Sequence, residues 1–111
     1  MSNLANTTWK LTKDGVPPAQ YAAVVAFGPL NAPPGAIGGQ GTYQDPQSGS
    51  TPFFWVEDSK GGFMFQFQNQ DPGYSTLTTY TGTHSDGAAT GWSSNFSVGF
   101  SSTGFGMVKT S

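Results

Sequence analysis

Short runs of alternating apolar and polar residues, cut at close intervals by Gly, Pro and Asp, fill this sequence and leave almost nothing that reads as helix. The clearest run is Phe63–Gln68. Phe63, Phe65 and Phe67 fall on one side of an extended chain and Met64, Gln66 and Gln68 on the other, because successive side chains of a strand point to opposite faces. The same reading predicts strands over 7–12, 21–27, 39–44, 53–57, 63–68, 75–84, 89–96 and 104–110. Asp14-Gly15, Asp45-Pro46, Lys60-Gly61-Gly62, Asp71-Pro72-Gly73 and Asp86-Gly87 supply turns, and a Pro/Gly-rich loop is expected over 28–35. The stretch Ala19–Ala26 holds some helix formers, but it contains Val24-Val25 and sits between Pro17-Pro18 and Gly28-Pro29, which suits a strand at least as well.

Eight strands joined mostly by short connections must lie antiparallel to their sequence neighbours, which makes a meander. An open sheet of that width leaves two long edges unpaired, and closure removes both. The expectation is therefore an all-β, eight-stranded, antiparallel up-and-down barrel, one domain over residues 1–111, with a two-sheet β-sandwich as the alternative.

Composition narrows the function. With no cysteine, disulfides and thiolate metal sites are excluded, and the fold rests on packing and ladder hydrogen bonds. Charged residues are 9% of the chain, against about 25% in an ordinary domain. The basic residues are Lys10, Lys13, Lys60 and Lys109, with no arginine, which argues against a nucleic-acid partner. Aromatic content of 14% argues for a folded chain. No apolar run approaches a membrane-spanning helix, so no membrane partner is expected. The first residues, Met1-Ser-Asn-Leu-Ala, form no basic stretch followed by an apolar one, so a cytoplasmic protein is expected, or one exported without such a signal. The glycosylation patterns at Asn6-Thr7-Thr8 and Asn95-Phe96-Ser97 are then coincidental.

Few residues can carry chemistry. His84 is the only histidine, and Asp86 is its nearest acid in sequence; a general base needs such an oriented partner and a pocket. A polar residue at a strand end is the better reading of His84. Most of the six acids sit in turns, no Gly-x-Ser-x-Gly elbow is present, and neither metal nor cofactor is expected. The sixth strand is the most informative: Thr76, Thr78, Tyr80, Gly82 and His84 share one face, and Leu77, Thr79, Thr81 and Thr83 the other. Hydroxyls facing a cavity can hold a polar ligand while aromatic rings cover its apolar body; threonines that simply favour strands and face water fit equally well. Phe53, Trp55, Phe63, Phe65, Phe67, Tyr43, Trp9 and Trp92 either wall that cavity or fill a core.

Four pieces of the chain resemble the avidin and streptavidin family of barrels: Thr8-Trp9 in the first strand, Gly41-Thr42-Tyr43 in the third, Phe63–Phe67 followed by Asn69, and Thr76-Leu77-Thr78-Thr79-Tyr80-Thr81-Gly82. Trp92 stands for the family's seventh-strand tryptophan. The resemblance implies a calycin barrel whose small-molecule site is lined by Tyr43, Phe67, Thr76, Thr78, Tyr80 and Trp92. The first strand, Lys10–Gly15, lacks the asparagine that reads biotin's ureido oxygen in that family, and the eighth, Gly104–Lys109, lacks the aspartate. The resemblance thus implies an avidin-like site without biotin's own anchors.

The expected function is a non-catalytic, small-molecule-binding barrel. A lectin-like module using Asn69–Tyr74 and Ser93–Phe96 is the alternative, and a lumen-based enzyme such as a cyclase, resting on His84, is the third. The uncharged second face of the sixth strand also predicts association of the barrel with copies of itself, as a homo-oligomer.

Overall fold

The computed structural model describes residues 4–14, 22–31, 37–46, 49–71, 74–96 and 100–111, with the side chains at 68–71, 74–76, 95, 96, 100 and 101 outside that description. Its strands are β1 (Thr7–Lys13), β2 (Ala23–Leu30), β3 (Gly38–Asp45), β4 (Gly49–Glu57), β5 (Gly62–Asp71), β6 (Tyr74–Ser85), β7 (Ala88–Phe96) and β8 (Phe100–Lys109). Each pairs antiparallel with the next, and β8 pairs back onto β1, so the sheet is a closed up-and-down barrel rather than a sandwich.

Several boundaries differ from those the sequence suggests. Residues 28–30, expected to open a loop, extend β2, and the register against β3 shifts between Phe27 and Leu30. Such a bulge accommodates Gly28-Pro29 within a strand. Strand β4 starts at Gly49 rather than residue 53 and takes in Pro52. The β4–β5 ladder runs only from Phe54↔Gln66 to Glu57↔Phe63, so the missing N–H of Pro52 breaks no rung there. Strand β8 begins at Phe100 rather than residue 104. The expected start of the second strand at Tyr21 lies outside the described residues.

The turn between β6 and β7 has positive φ at both Asp86 (54°) and Gly87 (80°). That is the type I′ geometry whose twist matches the flanking strands, and Asp-Gly is among the pairs that adopt it most readily. At Gly41 a side chain would collide with the Ala26 carbonyl and the ring of Phe53, so glycine here lets that ring lie across β3.

The inward faces follow strict alternation: Trp9 and Leu11 on β1, Val25 and Phe27 on β2, Phe53 and Trp55 on β4, Phe63, Phe65 and Phe67 on β5, Phe105 and Met107 on β8, all buried. Phe27 reaches across the lumen and meets the rings of Phe53, Trp55, Phe63 and Phe65 at centroid distances of 5.6, 5.6, 6.4 and 5.7 Å, each near perpendicular. Edge-to-face contacts of this kind add about 0.5–1.5 kcal/mol per pair beyond area burial. The middle of the barrel is a packed aromatic core. The cavity-wall reading of Trp9, Phe53, Trp55, Phe63 and Phe65 therefore gives way to core packing.

Candidate ligand site

Toward the end carrying the β3–β4 and β5–β6 turns, the same core continues through Tyr43, Phe67 and Tyr80 and gains hydroxyl groups. Thr78 and Tyr80 of β6 are 5% and 2% exposed, while Leu77 between the outer-facing positions is 42% exposed, so β6 has the register its alternation implies. Phe67 stands opposite Thr78 on the neighbouring strand. Tyr43 arrives from β3 on the other side of the lumen, and its hydroxyl lies 3.0 Å from that of Tyr80. Its ring packs 5.0 Å from Phe67 and 5.5 Å from Tyr80. The Tyr80 ring stacks on Phe65 at 4.6 Å, and that stack is the floor of the layer.

The same register brings more polar groups inward than the sequence singled out. Ser93 is buried and donates to the Thr103 carbonyl at 3.2 Å. Thr51 pairs with Tyr43, and Lys13 with the inward-facing Phe105, so both turn toward the lumen at its polar end. Nothing in their local sequence marks these residues; only the pairing of neighbouring strands aligns them.

Of the expected site residues, Tyr43, Phe67, Thr78 and Tyr80 converge. Thr76 pairs with Asn69 in the β5–β6 ladder, and its side chain lies outside the described residues. Trp92 must be corrected: it pairs with the outward Thr81 and is 64% exposed on the outer wall, while its neighbour Ser93 takes the inward place. The side chains of the lectin candidates Asn69–Tyr74, and of Asn95 and Phe96, also lie outside the described residues.

His84 has a different partner from the one its sequence neighbourhood suggests. Its Nε2 lies 3.0 Å from Glu57 Oε2, at the opposite end of the barrel, and the two side chains are 7% and 10% exposed. Asp86 sits in the turn instead. The other Glu57 oxygen accepts the Leu4 N–H at 2.9 Å. Thr7 Oγ1 donates to the Leu4 carbonyl and accepts from Trp9 Nε1, whose ring stands edge-on 6.1 Å from His84. The arrangement fastens the buried Leu4 across that barrel end. It fixes the orientation of the imidazole, and the His84 and Glu57 side chains line a cavity of about 860 Å³ at this end together with Leu30, Ile37 and Phe63. Among the described residues no group of three His, Cys, Asp or Glu side chains is arranged to hold a metal ion.

Burial raises the Tyr80 phenol far above its ordinary value of 10.0, with the neighbouring Tyr43 and Asp45 adding to the effect. Tyr80 therefore stays neutral and able both to donate and to accept. An unfolded chain ionises this phenol near 10.0, so its contribution to stability is intact below that pH and is lost progressively as pH rises above it. Tyr80→Phe should accordingly flatten the fall in urea-unfolding free energy between about pH 9 and 11. An unchanged slope would mean that Tyr80 is solvated.

No family model, curated protein or solved structure matches this chain.

Proposed function

We propose that the protein is a non-catalytic binding barrel whose ligand is a small molecule with an apolar, ring-sized body and hydroxyl or carbonyl groups. The ligand sits at the polar end of the lumen, above the Phe65–Tyr80 stack, with Tyr43, Thr78 and Tyr80 as hydrogen-bonding groups and Phe67 as contact surface. The observation that carries this reading is the 3.0 Å phenol pair of Tyr43 and Tyr80, placed with the buried Thr78 and Ser93 at one end of an aromatic core. A core built for stability alone gains little from hydroxyls there, because each needs a partner and a neutral hydrogen bond contributes only about 1 kcal/mol net. In a binding site the same hydroxyls reject ligands that cannot pair with them. The packed centre restricts the ligand to this layer.

The test is a small-molecule panel screened by native mass spectrometry, followed by Thr78→Val, which keeps the shape and removes the hydroxyl. The expected result is a loss of affinity of roughly tenfold or more, corresponding to about 1.4 kcal/mol, with Tm lowered by no more than about 5 °C. Hits that bind Thr78→Val and Tyr43→Phe as tightly as the parent would place the site elsewhere and end this assignment.

A further inference from the structure

We propose that the outer wall formed by β4 to β7 is a two-fold docking surface for a second copy of this chain. Phe54 and Trp92 are 67% and 64% exposed, and with Val56, Met64 and Leu77 they lie on this one face. The strand register makes the face continuous. Val56, Met64, Thr81 and Trp92 form one row across the four strands, and Phe54, Gln66, Thr79 and Ser94 form the next. No charged residue stands in either row. The opposite wall is different: its exposed valines, Val24 and Val108, are separated by Lys10, which pairs with both.

The area suits a dimer. Two aromatic side chains about two-thirds exposed offer on the order of 300 Å². With the aliphatic, Thr and Gln side chains the face comes close to the ~800 Å² per partner of a standard interface. Its chemistry also selects the occupant. An uncharged face gives a charged partner no electrostatic complement, but it is compatible with itself. Where β4 and β5 part beyond Phe54↔Gln66, the wall holds a depression of about 440 Å³, bordered by Pro52, Val56, Gln66 and Leu77. Trp92 projects from the other side of the same face. In an isologous contact residue i meets j and j meets i. The Trp92 ring of each copy therefore fills the β4–β5 depression of the other, and the axis passes beside Thr79 and Thr81. Tryptophan seated in a partner's pocket is a common interface hot spot.

Sedimentation equilibrium of the full chain tests this directly. The parent should be a dimer at about 100 μM chain. Trp92→Lys should weaken it by at least about 100-fold. Val24→Lys, on the opposite wall, should leave it intact. Near-UV circular dichroism confirms that each variant is folded. Thr79→Lys and Thr79→Glu should each be monomeric alone and should form a mixed dimer when combined, because residues at a two-fold axis face their own copies. A monomeric parent at that concentration overturns the proposal. So does a dimer that survives Trp92→Lys, or charged Thr79 variants that fail to recombine.

Discussion

Replacing Phe65 with alanine should cost about 3–5 kcal/mol, the range for removing a fully buried ring. For a domain of this size that corresponds to a fall in Tm of roughly 15–30 °C. Phe65 is 0% exposed and lies at the centre of the aromatic core. Its ring is 4.6 Å from Phe53, 5.7 Å from Phe27 and stacked 4.6 Å from Tyr80, so its loss leaves partners from β2, β4 and β6 facing a void. Closed barrels relax poorly around such a void, because every strand is fixed on both sides. The comparison is Val108→Ala on the outer wall, 62% exposed, which should change stability by less than about 1 kcal/mol. Urea unfolding of the two variants measures the difference. Similar losses would mean that the interior is loosely packed and that the site need not be confined to the polar end.

Phe65→Ala also separates core from site. The substitution undercuts the floor beneath Tyr80 without removing a hydroxyl, so ligand affinity should fall through loss of support for Tyr80. Thr78→Val acts the other way round, on a hydrogen bond and with little loss of stability. A site that survived the first and failed the second would owe its affinity to the hydroxyls alone.

The eight-stranded barrel and the β6 register were legible in the sequence because both rest on period-two alternation, which closure preserves in every strand. Thr78 and Tyr80 point inward and Leu77 outward for that reason. Trp92 was not legible in the same way. Strand β7 begins Ala-Ala-Thr-Gly-Trp-Ser-Ser, with small residues on both sides of the tryptophan, so neither face declares itself apolar. Its orientation is set by pairing, Gly82 with Gly91 and Thr81 with Trp92. Whether the lumen is hollow or filled was equally hidden. The same aromatic residues serve either case, and Phe27 of β2, whose ring crosses to β4 and β5, decides the matter. The partner of His84 was hidden by distance along the chain. Glu57 is brought to it only because β4 and β6 flank β5, each pairing with Phe63, through Glu57 and Gly82.

That hidden pair leads to the second large effect. Glu57→Ala should destabilise the protein by about 2–4 kcal/mol, because it removes the acceptor of two hydrogen bonds at once. The Leu4 N–H and the His84 Nε2 both lose their partner, at 2.9 and 3.0 Å. The donors are nearly buried, so water replaces the lost oxygens poorly. Leu4, 0% exposed, then loses the bond that holds it across the barrel end. The damage should be local in its first step: amide exchange at Leu4 and Thr7 should accelerate before that of the central strands. Glu57→Gln keeps one oxygen for Leu4 or His84 and should cost less, about 1–2 kcal/mol. His84→Ala tests the coupling. If the pair acts as a unit, Glu57→Ala with His84→Ala should cost clearly less than the two single losses added together, by about 0.5–3 kcal/mol. Additive losses would mean that each side chain stabilises this end independently, and that Glu57 matters through Leu4 alone.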